Sequence, residues 1–130
     1  MHALPLSTLS SLLALVVYVG ITVNVGRARS KYGVAAPSVT GNIEFEKRYR
    51  VQANTIEQLV LMFPALWLCA FWVGDAYAAL GGVIWSVGRV VYARGYYDAP
   101  EKRGPGFGLS FLPTVAMLLA TLVAVVRAMV

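Results

Sequence analysis

Charge is scarce in this sequence. Only 13% of its 130 residues are Asp, Glu, Lys or Arg, while 58% are hydrophobic. A soluble domain carries roughly 25% charged residues. A chain this short can fold as one domain in water, but so small a body has too little interior to hide this much apolar surface. The gaps between charges are long. None falls between Met1 and Gly26, between Ala76 and Gly88, or between Gly104 and Val126, and only Glu57 interrupts Val51 to Gly74. A polar stripe of period 3.6, which a water-soluble bundle would need, is also missing. Leu12 to Val19 and Val115 to Val126 are apolar all round. Cysteine is nearly absent, and lone Cys69 cannot form an internal disulfide. Between Leu68 and Ala70, with no basic neighbour to lower its pKa, it reads as a small buried apolar residue. Basic residues are missing ahead of the first apolar run, where a cleaved signal peptide would have them. Only His2 stands there, and Arg27, Arg29 and Lys31 follow the run, the order of a retained helix.

A spanning helix needs roughly 20 mainly apolar residues. Three segments meet that length outright. The third meets it with Arg89 inside the helix near one end, where a long side chain can snorkel. The expected fold is all-α: an integral membrane four-helix bundle of up-down topology, one domain over residues 1–130, with helices at about 5–30, 48–73, 76–97 and 105–128. Gly74 and Asp75 mark a tight hairpin. Pro37 and Gly41 break the first loop, and Pro100, Gly104, Pro105 and Gly106 break the third. No tandem repeat or low-complexity tract is present.

The charges that do occur are one-sided. Arg27 to Arg50 holds six basic and two acidic residues, and Arg89 to Arg103 holds four and two. With four crossings these stretches share one face, which carries ten of the eleven Lys and Arg. The positive-inside rule puts that face in the cytoplasm, the inner-membrane cytoplasmic face if the source is bacterial, with both termini on the other side.

Some of this charge is drawn into the helices. At about 100° per residue, Arg50, Asn54 and Glu57 fall within an arc of about 60°, and Gln52 points toward another surface. A carboxylate about two turns into a spanning helix is costly unless paired or wet. Glu57 therefore reads either as half of an ion pair with an arginine, holding helices together, or as part of a polar pocket. Arg89, Tyr92 and Tyr96 share a similar arc on segment three, at the same depth. Tyr97 fits an interfacial belt. Together Arg50, Asn54, Glu57, Arg89, Tyr92 and Tyr96 suit one cavity for a small zwitterion with excess negative charge.

The run Glu44-Phe45-Glu46-Lys47-Arg48-Tyr49-Arg50-Val51-Gln52-Ala53-Asn54-Thr55-Ile56-Glu57 resembles the signature of the MAPEG family, the membrane-associated proteins of eicosanoid and glutathione metabolism. Arg89 to Tyr97 followed by Lys102-Arg103-Gly104 is similar to its second half. The likeness covers nearly the whole chain and is greatest to the type-3 microsomal glutathione transferases and the cysteinyl-leukotriene synthase branch. It implies a homotrimer with glutathione, the co-substrate, bound between subunits near the cytoplasmic face. It implies glutathione contacts from Arg50, Asn54, Glu57, Tyr92 and Tyr96, with Arg29 and Gln52 reaching in from the neighbouring subunit. Arg103 matches the arginine that stabilises the glutathione thiolate. That role is chemically sound, because a free thiol has a pKa of about 8.5 and a fixed guanidinium stays charged and favours the anion. The N-terminal dipole of the fourth helix favours it too. Gln58 stands where the synthase branch has a tyrosine, and Ser30 where it has a second arginine. Both departures argue against leukotriene synthesis. The implied function is a membrane-embedded glutathione transferase or peroxidase acting on lipophilic electrophiles or hydroperoxides, a detoxification chemistry. No metal and no nucleic acid is implied. A non-catalytic lipid-binding scaffold and a glutathione-dependent isomerase are the alternatives, and Arg103 favours an enzyme over the scaffold.

Overall fold

The computed structural model describes residues 3–130; His2 lies outside the described residues. Four long helices follow one another: α1 (Pro5–Tyr32), α2 (Ile43–Trp72), α3 (Asp75–Asp98) and α4 (Gly104–Met129), with one 3₁₀ turn (Pro100–Arg103) before α4. Among the described residues there is no strand. At 1.5 Å per residue even the 24-residue α3 is about 36 Å long, beyond the ≈ 30 Å hydrocarbon core of a bilayer. All four are long and apolar enough to cross a membrane.

Both ends of α1 and the start of α2 have identifiable causes. α1 has no cap from its own residues. Its first amides are taken by the Asp75 carboxylate at the start of α3: Leu6 N donates to Oδ2 at 3.0 Å and Ser7 N to Oδ1 at 2.8 Å. One side chain thus serves two helix N-termini at the same end of the bundle, since it also lies in the first turn of α3. α1 stops at Gly33, whose φ of 66° is the left-handed conformation that glycine adopts without strain. α2 begins at Ile43, earlier than the expected 48. Asn42 Oδ1 caps it, accepting from Glu44 N at 2.9 Å and Phe45 N at 3.2 Å. Glu44 then pairs with Lys47 at 2.8 Å and Arg48 at 3.1 Å along the helix surface. Lys47 Nζ also donates to Tyr97 O at 3.4 Å, which ties the start of α2 to the end of α3. Loop one and the 3₁₀ turn therefore share one end of the bundle.

The surface is apolar, unlike that of a soluble bundle, and the interior mixes apolar residues such as Met62, Leu66 and Trp85 with hydroxyls. Leu9, Val16, Phe71, Leu112 and Leu119 point outward, while Ser7, Ser10, Thr55, Ser86, Ser110 and Thr114 are buried between helices. The buried hydroxyls donate mostly to carbonyls one turn back on their own helix, as Thr55 does to Val51 O at 2.7 Å and Ser86 to Gly82 O at 2.9 Å. Small residues let backbones approach, the usual mode of helix association in lipid. α3 and α4 are closest. A Cβ on Gly88 would lie 2.7 Å from the Leu109 carbonyl carbon and the Ser110 amide nitrogen, and one on Gly106 would land on the Tyr92 backbone.

Arg89 departs from the expected snorkelling. Its side chain is wholly buried, 0% exposed, in the bundle interior. Acceptors on α2 hold it there, so it has no reason to climb toward the membrane edge.

Candidate functional site

A cavity of ≈ 370 Å³ opens between α2, α3 and the start of α4. Arg50 and Asn54 line it from α2, Tyr92 and Tyr96 from α3, and Arg103, Gly104 and Phe107 from the turn and α4. Helical spacing explains the convergence. Arg50 and Asn54 are four apart, as are Tyr92 and Tyr96, so each pair forms a short column on one face. The two tyrosine rings lie 5.7 Å apart. Arg103 is the residue immediately before α4, where the helix's free amides also favour an anion. The lining offers two guanidinium groups, two phenols and one amide, and no carboxylate. Such a donor set suits a ligand bearing carboxylates or a developing anion.

Of the residues singled out from sequence, Arg50, Asn54, Tyr92, Tyr96 and Arg103 meet in this cavity. Glu57 does not line it. It is exposed on the outer side of α2 and accepts from Asn54 Nδ2 at 3.4 Å. Among the described residues it forms no ion pair with an arginine. Gln52 faces α1 instead, donating to Thr22 Oγ1 at 3.2 Å. Arg29 braces loop one, with Nη1 donating to Val34 O at 3.3 Å and Ser38 O at 2.7 Å and its guanidinium 4.7 Å over the Phe45 ring. Gln52 and Arg29 thus stand apart from this subunit's own cavity.

Arg89 is not in the lining either, but directly behind it. Its Nη2 donates to Asn54 Oδ1 and Thr55 Oγ1, both at 3.0 Å, and the guanidinium lies 4.0 Å from the centre of the Tyr92 ring. Sequence reasoning missed Thr55 and Phe107. Phe107 stands four residues after Arg103, a spacing that would have placed it on the same face. Thr55 carried no signal until its partner on α3 was known. Tyr97 is half-buried beneath the Arg48 guanidinium, 5.1 Å from its ring, which is more than a belt position requires. Cys69 is buried, as its neighbours implied.

Comparison with known proteins identifies the family. Residues 7–123 match the MAPEG family. An uncharacterised protein of Synechocystis is 46% identical over 113 residues, 87% of this chain and 82% of the relative. Microsomal glutathione S-transferase 2 of Mus musculus is 39% identical over 99 residues, 72% of this chain and 67% of the relative. Leukotriene C4 synthase of Bos taurus is 31% identical over 93 residues, 72% of this chain and 62% of the synthase. With four spanning helices and a family match over nearly its whole length, this multi-pass membrane chain belongs to the MAPEG family.

Proposed function

We propose that this protein is a membrane-embedded glutathione transferase that binds glutathione in the cavity between α2, α3 and α4 and activates its thiol as the thiolate. The observation that carries the reading is the meeting of Arg50, Asn54, Tyr92, Tyr96 and Arg103 around one ≈ 370 Å³ space. Glutathione carries two carboxylates, one ammonium and one thiol. Arg50 and the tyrosine hydroxyls supply donors for the carboxylates. Glu57, just outside the lining and bridged to it by Asn54, supplies the counter-charge for the ammonium. Arg103 at the cavity edge holds the thiolate. That thiolate attacks an electrophilic carbon of a lipophilic substrate, the C–S bond forms, and the leaving group departs with its electron pair. A hydroperoxide is the other substrate class this nucleophile can take.

The site belongs to a homotrimer in this reading. Gln52 and Arg29 lie off the cavity of their own subunit, on the side of α1 and loop one, which is where a neighbour's open cavity would meet them. The loop-one end faces the cytoplasm, where glutathione is abundant and where the cationic loops belong.

The test is titration of the detergent-purified protein with glutathione by calorimetry, beside Glu57→Gln and Arg103→Ala, followed by turnover with an aryl halide. The proposal expects binding in the wild type, weakened in Glu57→Gln, and conjugation. No binding at all overturns the site. Binding without conjugation, peroxidase or isomerase turnover would make the protein a lipid-binding scaffold.

A further inference from the structure

Arg89 is a cation sealed in the bundle interior, and among the described residues it has no carboxylate partner and its Nε and Nη1 protons are unpaired. Burying a charge in this way is costly. If its only task were to join α2 to α3, a leucine or methionine would do so without that cost. Its two bonds show a different use. A guanidinium only donates, so the Asn54 amide must turn its oxygen toward Arg89 and its NH₂ away from it. That NH₂ faces the Glu57 carboxylate. The second acceptor is equally committed: the Thr55 hydroxyl spends its proton on Val51 O at 2.7 Å, so only its lone pairs remain for Arg89. The Tyr92 ring covers the guanidinium from the α3 side.

We propose that Arg89 is a positioning residue that locks the Asn54 amide in one orientation, NH₂ outward, and through it holds Glu57 beside the cavity without neutralising it. A direct Arg89–Glu57 ion pair would consume both charges. The intervening amide transmits the orientation and leaves Glu57 an unoccupied oxygen for an ammonium group. The proposal rests on the glutathione reading only for the identity of that ammonium.

The chain contains three asparagines, Asn24, Asn42 and Asn54, so protein labelled with ¹⁵N at asparagine gives three side-chain NH₂ pairs, with Asn54→Ala assigning the third. In the wild type the two protons of the Asn54 pair should interchange slowly, because Arg89 holds the amide oxygen. Arg89→Met should shift the pair and speed that interchange while leaving the Asn24 and Asn42 pairs in place. An unchanged Asn54 pair would refute the proposal, and this result does not depend on glutathione. In the activity arm, Arg89→Met should raise the glutathione KM about tenfold and lower kcat less than about twofold, the signature of lost ground-state positioning. The double variant with Asn54→Ala should bind no more weakly than Asn54→Ala alone. Effects that multiply would mean that Arg89 acts elsewhere, which overturns the proposal. A wild type that fails to bind glutathione sinks the functional reading, and the NMR result still decides the role of Arg89. Should Arg89→Met not fold, Arg89→Lys keeps the buried charge without the fork, and the same shift and faster interchange of the Asn54 pair is expected; no change refutes the proposal.

Discussion

Gly106 and Gly108 stand two residues apart on α4 and should respond to alanine with opposite sign. A Cβ on Gly106 would lie 2.7 Å from Tyr92 Cβ and nearer still to the Tyr92 backbone. Carbon atoms pack at about 3.5–4.0 Å, so α4 must retreat from α3 by about 1 Å. The obstacle is backbone, which cannot rotate aside. Overpacking of this kind costs about 1–3 kcal/mol. Gly108 has nothing within 4 Å of the same added atom, so alanine there brings only its helix preference, a gain of about 0.5–1 kcal/mol. The displacement also reaches the cavity, because Tyr92 forms its α3 wall and Arg103, Gly104 and Phe107 its α4 wall. A 1 Å misplacement of reacting groups is worth on the order of 10²-fold in rate. Thermal unfolding in detergent, with glutathione calorimetry and aryl halide turnover, reads all three effects. Gly106→Ala should be less stable, bind more weakly and turn over more slowly, and Gly108→Ala should be at least as stable as wild type with activity intact. Equal behaviour of the two variants, in either direction, would refute the close approach of α4 to Tyr92 as the basis of the site's shape.

Asp75→Ala should cost about 1–3 kcal/mol of stability by stripping the acceptors from Leu6 N and Ser7 N. Hydrogen exchange should show the loss as fraying of the first turn of α1, with a smaller effect at the start of α3. Asn42→Ala should cost about 1 kcal/mol and unravel the start of α2, seen as lost helicity by circular dichroism. Arg103→Ala should lower kcat on the order of 10²-fold, as for removal of one preorganised anion-stabilising group, while the calorimetric affinity for glutathione changes far less. Weakened affinity with kcat unchanged would assign Arg103 to binding alone.

Much of this architecture was legible because lipid and helical geometry both act on composition. Charge-free runs of about 20 residues locate spans, and a 100° step per residue puts Arg50 beside Asn54 and Tyr92 beside Tyr96. The start of α2 was legible too, but hydropathy hid it. Hydropathy reports where lipid begins, around residue 48, whereas Asn42 with Glu44 and Glu46 behind it reports where the helix begins. The two boundaries differ because α2 runs out of the bilayer before it ends. Arg89 and Asp75 could not be read in the same way. Whether an arginine near the end of a span snorkels or turns inward depends on which acceptors the neighbouring helix offers. Those acceptors, Asn54 and Thr55, lie 35 and 34 residues away in sequence. Asp75 reads as a hairpin charge until the start of α1, 68 residues earlier, is known to lie against it. Nothing in Gly-Pro-Gly-Phe-Gly distinguishes the glycine that touches Tyr92 from the one that faces open space. Helix-local features and shared depth are thus visible in a chain of this kind, and the individual contacts between helices are not. The cavity is built from columns that sequence reveals one helix at a time, and its depth and orientation come from the buried arginine and the α3–α4 approach that join them.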